Sequence, residues 1–262
     1  MKHKRLFAIS TALVYLVFMI LCLAYAFSVK HINSEYIMQA DSVRYEKVEK
    51  ILSDCENKNL CFVNLKKIKN NIEKDAYLKV LKIEKKFPNS INVTVEERKE
   101  MFEINVDGQY FVLDENYFVL AKKSASGNNV KLELQESDYD KNSLKIKGTF
   151  KLVAKETENC IAKMLDNFSD WKNLLTKIKI VEIDSSSDNY RVIFYTTQGC
   201  QIEIRKAKSN GEQKVMVAID AYNKLTDLQK TDSKIIAFYS EKMGQVTADI
   251  EKITIEKENS ND

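Results

Sequence analysis

The chain has 262 residues, with 41 basic and 38 acidic side chains and a formal net charge of +3. Lys2, Lys4 and Arg5 account for the whole excess. The remainder is densely charged but formally neutral, which excludes the general basic footprint of a nucleic-acid binder.

From Leu6 to Phe27 no side chain carries a charge (LFAISTALVYLVFMILCLAYAF). As a helix rising ~1.5 Å per residue this run is ~33 Å long. A bilayer's hydrocarbon core is ~30 Å thick, so the run predicts a single membrane helix over 6–27. The basic start keeps residues 1–5 in the cytoplasm and places the bulk of the chain, from about residue 30, outside it. A cleaved signal peptide is the alternative, because Ala24-Tyr25-Ala26 reads as an A-x-A site. The apolar run exceeds the ~7–15 residues of a signal core, which favours a retained anchor.

The residue types that carry chemistry are sparse. The two histidines, His3 and His31, flank the apolar run. No Ser-His-Asp, Cys-His or H-E-x-x-H arrangement is therefore available in the body of the chain. Six scattered glycines form no phosphate loop, and no spaced aspartate loop ends in glutamate. The expectation is a binding protein without catalytic, metal-binding or cofactor-binding residues. Cys22 lies in the apolar run. Cys55, Cys61, Cys160 and Cys200 sit in apolar patterns without C-x-x-C spacing, which predicts buried thiols, although an exported compartment permits disulfides.

The elements expected after the anchor come in the order strand, helix, helix, strand, strand. A short strand is expected over 35–39. Val48, Ile51, Leu52 and Cys55 recur at helical spacing, marking a helix from about Tyr45. Leu60, Phe62 and Val63 read as an apolar linker, and Asn64 as the N-cap of a second helix with Leu65, Ile68 and Ile72 on one side. A strand over 78–83 precedes a turn at Phe87-Pro88-Asn89-Ser90, where proline fixes φ. Ile91, Val93 and Val95 then alternate with Asn92, Thr94 and Glu96, the pattern of a half-buried strand. Three strands with two helices on one face make a small sandwich over 30–100.

A second, mixed and β-rich domain with flanking helices is expected over 101–256, followed by a disordered tail over 257–262. Asp107-Gly108 reads as a hairpin turn between two strands, and Asp114-Glu115-Asn116 as the next turn. Residues 122–129 (KKSASGNN) read as a loop. Val153, Thr157, Cys160, Ile161, Met164, Leu165 and Phe168 keep helical spacing, with Trp171 buttressing the helix end. Strands are expected over 178–183, 190–196 and 200–204, and another helix over Val215, Ala218, Ile219, Tyr222 and Leu225. Late strands are expected over 246–250 and 252–255. Residues 234–239 fit helix and strand equally. The whole is of the α+β class.

The stretch 77–98 (YLKVLKIEKKFPNSINVTVEER) resembles the end of the polypeptide-transport-associated (POTRA) domain of the FtsQ/DivIB division-protein family. The resemblance rests on Phe87-Pro88, the alternating strand 91–95 and the Glu97-Arg98 pair. It extends upstream to 59–64 (NLCFVN) and downstream to 109–120 (QYFVLDENYFVL), where Asp114 falls in the family's hairpin. Ala40 departs from it, because a glycine commonly follows the family's first strand. Phe87, Pro88, Asp114, Glu97 and Arg98 read as structural residues, the last two fixing the seam between the first domain and the next.

The resemblance implies a non-catalytic, single-pass scaffold of the bacterial cell-division machinery at the septum. Its implied partners are small bitopic proteins of the FtsL and FtsB/DivIC type, and through them the septal peptidoglycan synthases. The late segment 246–255 reads as an exposed sheet edge that accepts an added strand, and the resemblance, which implies docking near the C-terminal strands, favours it as the partner site, at Val246, Thr247, Asp249, Ile250, Ile253, Thr254 and Ile255. An ordinary closing strand blunted by Glu251, Lys252 and Glu256 is the alternative for this segment. An exported chaperone-like or translocation module, and a cell-wall enzyme working with carboxylates alone, are the alternative functions.

Overall fold

The computed structural model describes residues 2–37, 43–168, 170–182 and 190–253, with side chains from Ser10 onward and without that of Glu182. The chain divides into two compact units, Met1–Lys99 and Glu100–Asp262.

The first unit contains helix α1 (Lys2–Ala26), strand β1 (His31–Ile37), helices α2 (Val43–Ser53) and α3 (Leu65–Ile72), and strands β2 (Leu78–Lys86) and β3 (Ser90–Glu97). Among the described residues no helix is long and apolar enough to cross a membrane, the side chains of α1 being described only from Ser10 onward. The three strands form one sheet in the order β1-β3-β2. β3 lies in the centre, parallel to β1 and antiparallel to β2. Its alternation is the reason: Ile91, Val93 and Val95 face inward and are buried. Val48 and Leu52 of α2 and Ile68 and Ile72 of α3 close the core over them. Asn64 caps α3, its side chain accepting from the Lys67 amide at 3.0 Å.

Several expectations in this unit need correction. The first strand begins at His31, four residues earlier than the pattern suggested, because its partner β3 begins at Ser90, opposite His31. Residues 38–42, including Ala40, lie outside the described residues. The 60–63 linker is a single 3-10 turn, Leu60–Phe62. Leu60 in the turn and Val63 after it are buried, but Phe62 is 87% exposed. A 3-10 turn has three residues per revolution, so only one of its residues can face the core. Cys61 is exposed for the same reason, while Cys55, Cys160 and Cys200 are buried free thiols.

The second unit is built on a nine-stranded mixed sheet in the order β12-β11-β10-β9-β8-β7-β4-β5-β6. Its strands are β4 (Phe102–Val106), β5 (Gln109–Leu113), β6 (Val119–Lys123), β7 (Val130–Glu133), β8 (Leu175–Glu182), β9 (Tyr190–Thr196), β10 (Gln201–Arg205), β11 (Ser233–Ser240) and β12 (Gln245–Lys252). The β4–β5 hairpin turns at Asp107 and Gly108, both with positive φ (52° and 74°). Two consecutive positive φ values make the tight turn whose twist matches paired strands. β7 is parallel to β8, and β10 to β11. Parallel neighbours need a crossover, and helices α4 (Lys155–Asn167) and α6 (Gly211–Lys224) lie in the connections of these two pairs, while β4, also parallel to β7, reaches it through β5 and β6. The short helix α5 (Trp171–Leu174) leads into β8, and Trp171 stacks on Phe102 at 5.3 Å.

α4 and α6 pack against each other over one face of the sheet. Their core includes Cys160, Ile161, Met164, Val215, Ala218 and the inward residues Val192, Phe194, Ile202, Ile204 and Ile235. Val153, expected on the α4 stripe, precedes the helix and is exposed. β8 starts at Leu175 rather than 178, and Ile183 lies outside the described residues. The ambiguous 234–239 segment is strand β11, and the late strands are one strand, β12. Residues 254–262 lie outside the described residues.

The contact between the two crossover helices is set by a glycine. A methyl group on Gly211 would stand 2.2 Å from the Cys160 sulfur but 4.0 Å from its Cβ. Gly211→Ala is therefore expected to cost about 1–3 kcal/mol, the usual range for overpacking. Adding Cys160→Ala should recover part of the loss, and urea unfolding of both variants and the pair checks the coupling.

Candidate partner-binding edge

β12 is the terminal strand of the large sheet, held along its inner side by all eight residues of β11, from Ser233↔Lys252 to Ser240↔Gln245. β11 is well anchored, because Ile235, Ile236 and Ala237 are buried and α6 packs against both strands. Of the residues expected at the docking site, Val246, Thr247, Asp249 and Ile250 lie in β12. Ile253 comes directly after it, its amide donating to the Asp232 carbonyl at 2.7 Å. Thr254 and Ile255 lie outside the described residues. Ile250 stands opposite buried Ile235 yet is 51% exposed. Tyr239, opposite Val246, and Met243 of the connecting turn are also exposed.

The opposite edge of the sheet is finished differently. The amide of Val119 in β6 donates to the Gly148 carbonyl at 2.9 Å, and the Val119 carbonyl accepts from Lys147 at 2.9 Å. Phe118 forms a β-bridge with Thr149, and the Phe150 amide donates to the Tyr117 carbonyl. The segment around Gly148 thus covers the start of β6. Its far end carries Lys122 and Lys123, the latter bound to Glu100 at 2.8 Å. Among the described residues no segment pairs with the outer side of β12. An uncovered edge presents unpaired N–H and C=O groups that accept an added strand.

Behind this edge the sheet face away from the helices carries a charge cluster that the sequence pattern did not single out. Glu203 of β10 is 1% exposed and meets Lys234 of β11 at 2.6 Å, Arg205 at 2.8 Å and Arg191 of β9 at 3.4 Å. Burial acts to raise the pKa of its carboxyl, but hydrogen bonds from Lys234 and Arg205 outweigh it and hold the group below the ordinary carboxylate range. The signal available in the sequence was a charge set between the core residues Ile202 and Ile204. The cluster ties β9, β10 and β11 together beneath the edge.

The remaining expected residues are not gathered with these. Phe87, Pro88, Glu97 and Arg98 belong to the first unit, and Asp114 to the second. The Phe87–Pro88 peptide is cis. Glu97 accepts from Arg44 of α2 at 2.7 Å. The Arg98 amide donates to the Tyr77 carbonyl at 2.7 Å. Asp114 is buried and accepts from the Asn116 and Phe118 amides, both at 2.8 Å, which fixes the β5–β6 turn. Burial raises the pKa of the Cys160 and Cys200 thiols to about 11, so neither is a poised nucleophile.

Glu203→Gln should destabilise the second unit by about 1–3 kcal/mol, since it leaves three cations without their counter-charge. The upper end is moderated because Arg191 and Arg205 are partly exposed and can turn to water. The folded pKa of Glu203 is depressed, so its contribution is present above the unfolded value of ~4.3 and is lost as pH falls through the folded value. The stability gap between the two proteins should be constant near neutrality and narrow below about pH 4 in denaturant titrations.

A family model described as "POTRA domain, FtsQ-type" matches residues 29–98. "Cell division protein DivIB" of Clostridium acetobutylicum is 36% identical over 108 residues, covering 40% of this chain and 41% of that protein. The protein of the same name from Clostridium tetani is 30% identical over 103 residues, 38% of each chain. The chain thus spans about two fifths of the length of these two relatives. The major extracytoplasmic domain of the trans isomer of the bacterial cell division protein DivIB from Geobacillus stearothermophilus aligns at 14% identity, covering 50% of this chain and 98% of that one, with a TM-score of 0.29.

Proposed function

We propose, from the premise that this chain belongs to the FtsQ/DivIB family of cell-division proteins, that it is a non-catalytic, single-pass membrane scaffold of the division machinery. In this reading α1 anchors the chain in the cell membrane with its N-terminus in the cytoplasm, and both units act outside at the division septum. The uncharged run 6–27 supports the anchor, as do the apolar side chains of α1 such as Leu13, Phe18 and Leu23, which are exposed along the helix. The expected partners are small bitopic proteins of the FtsL and FtsB/DivIC type. Through them the scaffold reaches the septal peptidoglycan synthases.

The observation that carries the binding role is the asymmetry of the large sheet. One edge is covered at β6, and among the described residues no segment pairs with the outer side of the eight-residue β12 at the other. An extended segment of the FtsB/DivIC-type partner adds to β12, with Val246, Thr247, Asp249, Ile250 and Ile253 nearest to it. Exposed Ile250 and Tyr239 give side-chain contact, while the backbone supplies most of the pairing.

Successive N–H groups of a strand point alternately to its two sides. Of Thr247→Pro and Ala248→Pro, one removes an inward donor to β11 and the other an outward one. The outward proline is expected to reduce recovery of the FtsB/DivIC-type partner at least about tenfold in a membrane pull-down, with thermal stability nearly unchanged. The inward proline should lower stability instead. Undiminished recovery with both prolines moves the site away from β12.

A further inference from the structure

The end of the first unit nearest α1 carries an exposed aromatic and basic surface that partner binding at β12 does not use. α1 is stitched to this end by backbone pairing. The Leu60 amide donates to the Phe27 carbonyl at 2.7 Å, the Val29 amide to the Lys58 carbonyl at 2.9 Å, and the Lys30 amide to the Asn89 carbonyl at 2.9 Å. Ser28 and Asn59 form a β-bridge, and the Phe27 and Phe87 rings meet edge to face at 6.1 Å. The end of the helix is therefore fixed to the Leu60–Phe62 turn and to the β2–β3 turn.

Two phenyl rings project from those turns into solvent, Phe62 at 87% exposure and Phe87 at 63%. Around them stand Lys30, Lys58, Lys85 and Lys86, with Lys85 donating to the Cys61 carbonyl at 3.0 Å. Lys30, Lys58 and Lys86 are exposed. The acids of the neighbouring turn, Asp54 and Glu56, leave this end net positive. Two residues of chain reach at most about 7 Å, so Phe62 lies within roughly 10 Å of the end of α1. The headgroup layer beyond the hydrocarbon core is ~5–7 Å deep on each side, which puts this surface at its level when α1 spans the bilayer.

We infer that this end of the first unit rests on the outer face of the membrane and binds anionic lipid headgroups. Phe62 and Phe87 enter the interface, and the lysines meet the headgroup phosphates. Aromatic rings are favoured at the polar–apolar boundary and lysines near a negative surface. This inference rests on α1 spanning the membrane. It fixes how the first unit stands on the bilayer, which the spanning helix alone does not.

Cys61, exposed beside Phe62, provides the reporter, because Cys55, Cys160 and Cys200 are buried. The full chain carrying Cys22→Ser, labelled at Cys61 with an environment-sensitive dye, is placed in nanodiscs of phosphatidylcholine alone or with phosphatidylglycerol. Quenching by headgroup-labelled nitroxide lipid should be at least about twofold stronger with phosphatidylglycerol and should weaken in high salt. Phe62→Ser, or Lys58→Gln with Lys85→Gln and Lys86→Gln, should each remove the difference. Equal quenching in both discs, or a dye as wet as in free solution, overturns the inference. Resistance of the chain to carbonate extraction separates the two readings: a retained chain with a wet dye defeats only the headgroup contact, and an extracted chain defeats the spanning helix as well.

Discussion

Parallel pairing is the constraint that shapes most of the second unit. β7 with β8 and β10 with β11 run in the same direction, so neither pair can be closed by a tight turn. Each needs a crossover, and both crossovers lie over one face, where α4 and α6 meet at Gly211 and Cys160. That face becomes the apolar core. The other face then has to be finished with polar groups, and buried Glu203 is held there by three cations, Arg191 of β9, Arg205 of its own strand and Lys234 of β11. A charge this deep in a sheet survives because its partners come from both adjoining strands as well as its own.

The first unit solves a smaller problem with a different device. Its central strand β3 is apolar on one side only, and two short helices suffice to cover that side. The opposite side stays polar, with Asn33 bonded to Asn92 and Lys79 to Glu96 across strands. Such a sheet needs no second layer, so the unit stays small and its turns remain available at the surface.

Much of this was legible in the sequence where one residue pattern carried one meaning. The alternation of 91–95, the Asn64 cap, the Asp107-Gly108 turn and the bounds of β9 are all local signals, and the structure has each. Reading failed where the deciding information lay elsewhere in the chain. β1 is only half-buried, so its start is set by the register of β3 rather than by its own periodicity. β11 is buried on both faces over Ile235–Ala237, and such a run has no period to read. The charge cluster was invisible because Arg191, Glu203 and Lys234 converge only once three strands are paired. The late segment reads as a sheet edge from its place near the end of the chain, and the strand order has β12 as the terminal strand.

The unequal finishing of the two sheet edges has a stoichiometric consequence. A sheet open at both ends can join head to tail with its own copies, and such a heterologous contact propagates into a filament. Here the segment around Gly148 occupies the start of β6, and two lysines close out the rest of that strand. Among the described residues the large sheet therefore has one edge, β12, left for strand addition. Under the strand addition proposed for β12, an assembly built through the sheet is counted in discrete complexes, with one incoming chain for each copy of this protein.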